Sequence, residues 1–145
     1  MKQAQKRLLF ILVFWLAFIF VTSCFVIPFD TFVHFVQDLS SNDHFKQWFA
    51  GFWLVSWFVV VKGWHVTEYA VLVVIVSDTL RTFFRRAPLR SVGSALLFAA
   101  LFAASDEWHQ SFVPGRDGCV RDVFIDLIGA TLAALFLLWR VRRPA

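Results

Sequence analysis

The sequence predicts an all-α integral membrane protein, a bundle of four transmembrane helices built as one domain over residues 1–145. Two observations lead to this class. Hydrophobic residues make up 59% of the chain and its mean hydropathy is +0.69, well above what a soluble domain carries. Four apolar runs also approach the roughly 20 residues that a helix needs to cross a bilayer.

The four predicted spans cover residues 8–27, 64–82, 92–108 and 122–139. Ten of the fourteen Lys and Arg residues lie before the first span, between the second and third, or after the fourth. By the positive-inside rule, this distribution predicts that both termini lie in the cytoplasm. Because the basic residues mark topology rather than one polar face, nucleic acid is not an expected partner.

An aromatic stretch, "WFAGFWLVSWFVVV" at residues 48–61, precedes the second span. It is too short to be a separate span. A fifth span would also place the four arginines of "RTFFRRAPLR" outside the cell. We therefore expect an interfacial or re-entrant segment at about 45–61, or an extension of the second span that breaks near Gly63.

The first span allows two interpretations. The basic residues before it and "VTSC" at 21–24 resemble a lipoprotein signal peptide, in which Cys24 would be lipidated after cleavage. The apolar run continues past Cys24, which favours an uncleaved span. Cys24 and Cys119 do not have the spacing of a zinc site or of a disulfide framework.

Polar side chains are predicted to meet at the outer ends of three spans. Helical spacing places Lys62, His65 and Tyr69 on one stripe of the second span, with Glu68 one turn after His65, and Asp106 and Gln110 on one face of the third, from which Glu107 points away. Asp122 and Asp126 share a face of the fourth span with Gly129 and Ala133, where another helix can pack closely. The candidate site residues are Lys62, His65, Glu68 and Tyr69 on the second span, Asp106, Glu107 and Gln110 on the third, Arg116 in the link, and Asp122 and Asp126 on the fourth.

The charges in this group require partners. A carboxylate in hydrocarbon is costly unless it is paired, so Glu68 and Asp126 are expected to face the bundle interior. Asp122 and Asp126 lie one helical turn apart and repel each other. We expect Arg116 to bind both, because a planar guanidinium can bind two carboxylates.

Simpler interpretations stand beside this one. Asp122 is also suited to cap the fourth span, and the whole group is also consistent with an ion network that only locks the bundle together. A metal site formed by His65, His109 and Asp106 is a further alternative. No metal or other cofactor is expected from the motifs.

The motifs resemble those of VanZ-like bacterial membrane proteins over residues 60–140. "KGWHVTEYAVL" is similar to the family's K-x-x-H-x-x-x-Y element, and "SDEWHQSFVPGRDGCVRDVFIDLIGA" to its D-E-x-x-Q, P-G-R and D-x-x-x-[ND]-x-x-G elements. Many members have Asn where this chain has Asp126. The resemblance marks Lys62, His65, Tyr69, Asp106, Glu107, Gln110, Arg116, Asp122, Asp126 and Gly129.

The resemblance implies a cell-envelope role, because the family is named for a protein associated with low-level resistance to the glycopeptide teicoplanin. Two functions follow as hypotheses. The first is a binding module whose cations, Arg116 and Lys62, hold an anionic membrane lipid, a lipid-linked cell-wall precursor or a lipoglycopeptide. The second is an intramembrane enzyme with Glu68, His65 and Asp126 as acids and bases. Because no nucleophile is recognisably paired with a base, the sequence favours the first.

Overall fold

Helices account for all the regular secondary structure that the computed structural model describes, which covers residues 2–24, 29–84, 87–116 and 118–142. In chain order they are α1 (Gln3–Cys24), α2 (Phe29–Asp38), α3 (Asp43–Phe83), α4 (Pro88–Gln110) and α5 (Val120–Arg142). The all-α prediction is confirmed. The last three residues of the first predicted span, 25–27, lie outside the described residues, as do Arg85 and Arg86 of the basic link.

Four of the helices, α1, α3, α4 and α5, are long and apolar enough to cross a membrane. This confirms the predicted four-span bundle. Pro88 begins α4, at a position where a missing N–H leaves no hydrogen bond unmade. At its other end α4 stops at Gln110, just before the turn that contains Pro114 and Gly115.

The aromatic stretch is the first half of α3, which runs without interruption for 41 residues. Asn42 starts this helix by accepting a hydrogen bond from the backbone N–H of Phe45 at 3.1 Å. The structure therefore corrects the interfacial or re-entrant interpretation of residues 45–61 in favour of the extended second span. It also corrects the expected break, because a single glycine such as Gly63 weakens a helix without ending it.

Helix α2 was not predicted from the sequence, and it packs against the first half of α3. The ring of Phe32 lies 4.7 Å from that of Trp53 and 6.2 Å from that of Phe49, centroid to centroid. Near the turn between the helices, the side-chain amide of Gln37 donates to the carbonyl of Lys46 at 3.1 Å. We call α2 together with residues 43–57 of α3 the α2–α3 hairpin.

Small residues form the contact surfaces of α4 and α5. Ala95, Ala99 and Ala103 recur every four residues on α4 and are fully buried. On α5 the closest approach is at Gly129, where an added Cβ would lie 1.9 Å from the carbonyl oxygen of Val66 on α3. Such small surfaces let helix backbones approach each other in lipid, where the hydrophobic effect does not drive helices together.

The bundle has two chemically different ends. At one end the side-chain amide of Gln5 on α1 donates to the carbonyl of Thr82 on α3 at 3.4 Å, and the chain's clustered basic residues are close by in sequence. At the other end the hydroxyl of Ser23 donates to Asp106 at 2.7 Å. We call these the basic end and the polar end.

Gly129→Ala is expected to destabilise the bundle, because the new methyl group would force α5 away from the backbone of α3. A loss of about 1–3 kcal/mol in the free energy of unfolding is expected from such overpacking. Thermal unfolding of the purified protein in detergent measures it. Gly93→Ala is the matched control, because a Cβ at this α4 position meets no heavy atom within 4 Å. Equal melting temperatures for the two variants would contradict the close contact at Gly129.

Candidate functional site

Polar side chains from four helices and one loop meet at the polar end of the bundle. Most are buried; Glu68 and Asp126, for example, each retain only 1% of their exposure. All ten residues predicted from the sequence belong to this group, and two hydroxyls of α1 join them. We call the set the polar cluster: Thr22, Ser23, Lys62, His65, Glu68, Tyr69, Asp106, Glu107, Gln110, Arg116, Asp122 and Asp126.

A salt bridge between Lys62 and Asp122 joins α3 to the first turn of α5. The two side chains are only 16% and 14% exposed, so the pair is largely shielded from water. Arg121 adds a longer contact to the other oxygen of Asp122 at 3.5 Å, and its guanidinium also lies over the ring of Phe58 at 5.6 Å. Asp122 is therefore neutralised by its neighbours.

Arg116 does not pair with Asp122 and Asp126 as expected. Its Nε donates instead to the backbone carbonyl of Ser23 at 3.1 Å, which ties the α4–α5 loop to the end of α1. Among the described residues, no carboxylate lies within 4 Å of its guanidinium. Asp122 is not available to Arg116, because it already forms a salt bridge with Lys62 on α3. The terminal nitrogens of Arg116 therefore form no salt bridge with any residue that the structure describes.

Two hydroxyls of α1 hold the buried acids of neighbouring helices. The hydroxyl of Thr22 donates to Glu68 at 2.8 Å, and that of Ser23 donates to Asp106 at 2.7 Å. The side-chain amide of Gln110 donates to the same oxygen of Asp106 at 2.9 Å. Sequence reasoning missed both hydroxyls, although they are adjacent polar residues at the end of an otherwise apolar run.

The α4–α5 loop is shaped by two glycines on either side of Arg116. Gly115 has a φ of 82°, which side chains with a Cβ rarely adopt. Gly118 lies so close to α4 that an added Cβ would be 2.3 Å from the carbonyl oxygen of Glu107. The carboxylate of Glu107 accepts the backbone N–H of Cys119 at 2.9 Å. These constraints direct the loop back over the bundle and place Arg116 against α1.

His65 lies between two buried acids. Its Nδ1 is 3.8 Å from Glu68 Oε2 and 3.8 Å from Asp126 Oδ1. In the described part of the chain, four buried oxygens nearby have no hydrogen-bond partner: Glu68 Oε2, Tyr69 OH, Asp106 Oδ1 and Asp126 Oδ2. Unpaired buried oxygens are rare in folded proteins, and each one calls for a partner such as a water molecule, an ion or a ligand. The interior of the polar cluster thus has unused hydrogen-bonding capacity.

The alternative metal site of His65, His109 and Asp106 is not assembled. His109 lies instead beside Cys24, with 3.5 Å between Nε2 and Sγ, and its ring stacks on Phe20 at 4.5 Å. Within the described residues, no three His, Cys, Asp or Glu side chains are grouped to hold a metal ion. His109 is directed away from the centre of the polar cluster.

A cavity of about 660 Å³ opens beside the polar cluster, between the α2–α3 hairpin and the α4–α5 loop. Three members of the polar cluster, Thr22, His65 and Arg116, line one part of it. The rest of the wall is mostly aromatic and aliphatic: Phe32, Trp53, Trp57, Val60, Val61 and Trp64. Sequence reasoning did not find this cavity, because it depends on α2 and on the unbroken first half of α3.

The fold and the site together define a class: a small multi-span helical membrane protein with a buried charged cluster beside an apolar cavity. The model of the VanZ/LLP1 family matches residues 8–141, and the chain belongs to this family. The match includes α1 and the aromatic first half of α3, beyond the residues that carry the sequence motifs. No curated protein and no solved structure gives a significant match to the chain.

A double-mutant cycle on Lys62 and Asp122 is expected to reveal strong coupling. Lys62→Met and Asp122→Asn each leave the partner charge poorly compensated in a shielded place, whereas the double variant removes both charges. A coupling energy of about 1–3 kcal/mol is expected from unfolding measurements in detergent. The exposed pair Lys46 and Asp43, 3.9 Å apart on α3, is the control and should couple by at most about 1 kcal/mol. Additive effects at Lys62 and Asp122 would rule out the proposed pairing.

Proposed function

We infer that this VanZ-family protein binds an amphipathic lipid through an anionic headgroup at the polar end of the bundle. The proposed ligand is a membrane lipid or a lipid-linked cell-wall precursor. The proposed location is the bacterial cytoplasmic membrane, with both termini in the cytoplasm and the polar end facing outward, as the distribution of basic residues favours.

The observation that carries this proposal is the position of Arg116. Arg116 lines a mostly apolar cavity, and its Nε is fixed by the carbonyl of Ser23. The other two cations at this end, Lys62 and Arg121, both contact Asp122. Arg116 is thus the cation best placed for an external anion, and an arginine fork can bind two phosphate or carboxylate oxygens at once.

The surroundings of Arg116 strengthen its attraction for an anion. The cavity walls near Arg116 are mostly apolar, and a charge–charge interaction beside such walls is screened less than at a fully exposed surface. The aromatic and aliphatic wall offers an apolar surface to the rest of the ligand. A charged group next to an apolar chain is the defining feature of a lipid.

A cell-envelope role connected with teicoplanin-type resistance is part of the proposal. Family membership supports it, and so does the proposed outward orientation, because the lipid-linked precursors that glycopeptides bind are exposed on the outer face of the membrane. A protein that binds such a headgroup would shield it from the drug or change its local concentration.

Arg116→Gln is expected to weaken binding of a polyprenyl phosphate at least about tenfold, because it removes the proposed anion contact. Native mass spectrometry of the protein released from detergent micelles measures this affinity. Arg116→Lys should also weaken binding, since lysine cannot hold the Ser23 carbonyl and form a two-point contact with phosphate. Arg121→Gln is the matched control and should leave the affinity unchanged. Equal losses in Arg116→Gln and Arg121→Gln would indicate only a general electrostatic attraction.

Complementation tests the role in the cell. A strain lacking the gene is provided with wild-type protein, Arg116→Gln or Arg121→Gln, and teicoplanin susceptibility and the pool of lipid-linked precursors are measured. Wild type and Arg121→Gln are expected to restore both quantities, whereas Arg116→Gln is not. No difference between the deletion strain and wild type in either quantity would contradict the envelope role. The amount of each variant in the membrane must be equal, which separates loss of binding from loss of folded protein.

A second candidate function is an intramembrane enzyme that acts on a lipid-linked envelope substrate. The specific observation in its favour is His65, which lines the cavity and lies 3.8 Å from both Glu68 and Asp126. An imidazole beside two carboxylates can donate or accept a proton for a ligand in the cavity. Binding remains the preferred function, because the described residues of the cavity wall include two threonines, Thr22 and Thr67, but no serine or cysteine that could serve as a nucleophile beside His65.

Asp126→Asn separates the two candidates. If the protein only binds its ligand, this substitution should have a mild effect on teicoplanin susceptibility, because the D-x-x-x-[ND]-x-x-G element that the chain resembles accepts asparagine at this position. If Asp126 takes part in acid–base chemistry, activity should be lost while the protein still accumulates in the membrane. His65→Gln is the companion variant, since it removes the only proposed acid–base group that lines the cavity. Normal complementation by both variants would contradict the enzyme.

A further inference from the structure

We propose that the cavity selects a lipid with a single apolar chain and holds that chain beyond the bilayer, against the α2–α3 hairpin. This inference rests on the proposed function, because it takes Arg116 as the anchor for the anionic headgroup. It adds the number of chains that the ligand has and the direction in which the chain points.

Helix α3 extends beyond the end of the bilayer that the other spans cross. Helices α4 and α5 have 23 residues each, or about 34 Å at 1.5 Å per residue, which matches a hydrocarbon core of about 30 Å. At the polar end, Lys62 and Phe58 of α3 contact the first turn of α5. Residues 43–57 of α3 therefore continue about 22 Å past the end of α5. This part of α3, with α2 packed against it, lies past the hydrocarbon that the other spans cross.

Polar and apolar lining residues are distributed unequally along the cavity. Its charged and polar lining residues, Arg116, His65, Thr22 and Thr67, lie at the level where the spans end or deeper in the bundle. Val60, Val61 and Trp64 lie level with them, and the apolar lining continues outward, away from the bilayer centre, along Phe32, Trp53 and Trp57 of the α2–α3 hairpin. A lipid in its own leaflet has the opposite order, with the headgroup outside and the chains inside. An occupant with its anion at Arg116 therefore has its chain directed out of the bilayer.

The volume of the cavity limits the number of lipid chains that it can hold. A volume of about 660 Å³ falls in the range of about 300–1,000 Å³ that suits one drug-sized ligand. Phe32 closes one side of the cavity by packing against Trp53, which limits its width. We therefore assign the cavity to one chain rather than to the two chains of an ordinary phospholipid. The class of ligand is a single-chain amphiphile with a phosphate or carboxylate headgroup.

The hydrocarbon chain of the ligand would also cover apolar surface of the α2–α3 hairpin. Trp53 and Trp57 of the hairpin line the cavity and are only partly buried. Apolar surface outside the hydrocarbon is unfavourable in contact with water. A hydrocarbon chain in the cavity would remove part of this surface from water, which provides a driving force for taking the chain out of the bilayer.

The experiment compares two phosphate lipids that differ in the number of chains. The full-length protein is placed in nanodiscs of dioleoyl phosphatidylcholine, and its affinity for oleoyl lysophosphatidic acid and for dioleoyl phosphatidic acid is measured. The single-chain lipid is expected to bind at least about tenfold more tightly. Val60→Trp fills the cavity and should remove this preference. Val59→Trp is the matched control, because Val59 is the adjacent residue, is 70% exposed and does not line the cavity.

A second measurement locates the chain. Lysophosphatidic acid brominated near the end of its chain should quench tryptophan fluorescence, and the quenching should fall in Trp53→Phe but not in Trp48→Phe. Trp48 lies on the same helix but outside the cavity. Dioleoyl phosphatidylcholine that carries bromine at the same carbon atoms of its chains should not quench Trp53, because those chains stay in the bilayer. Quenching of Trp53 by the bilayer lipid would overturn the placement of the chain.

The outcomes distinguish this inference from the proposed function. If neither phosphate lipid binds, or if Arg116→Gln has no effect on either, the proposed function fails and the inference fails with it. A different outcome is that the two lipids bind with equal affinity, with a loss in Arg116→Gln and no change in Val60→Trp. That result would support the headgroup site and overturn only the inference of a single chain.

Discussion

Burial of carboxylates at the end of a membrane bundle is the constraint on which the rest of this structure depends. Three of the acids accept a contact from another helix: Glu68 from Thr22, Asp106 from Ser23, and Asp122 from Lys62. In lipid, apolar faces contribute little to the choice of helix rotation, because lipid tails are as apolar as the side chains. The polar contacts therefore determine the rotation and the depth of α1, α3 and α5, and the alanine faces then pack where these contacts place them.

The pairing of Lys62 with Asp122 also determines what the loop arginine is free to do. A bundle in which Arg116 bridged Asp122 and Asp126 would have a closed ion network and no cation facing the cavity. In this protein the carbonyl of Ser23 fixes Arg116 through one nitrogen. His65 has a comparable double position, because it faces the cavity on one side and two acids on the other. Structural and ligand-facing roles are thus divided between neighbouring residues.

Much of the fold follows from the sequence, since length and hydropathy identify the spans and helical spacing groups most of the site residues, with Glu107 and the loop residue Arg116 as the exceptions. The partners of those residues do not follow, because spacing along one helix contains no information about its rotation against the next. For that reason Lys62 rather than Arg116 pairs with Asp122, and Thr22 and Ser23 were missed. Helix α2 was missed because Asp30, His34 and Asp38 interrupt its short apolar pattern. The uninterrupted helix through Gly63 was missed because a membrane span was assumed to end near the bilayer surface.

The sparse packing of α1 bears on how the protein is assembled during synthesis. Only Ile19 and Ser23 are buried among its described side chains, so most of its surface is suited to lipid. The partner of Ser23, Asp106, is 83 residues later in the chain. We expect α1 to enter the membrane first and to remain there as a stable single helix. Helix α5, which carries two aspartates, should leave the translocation machinery only against helices that are already in place.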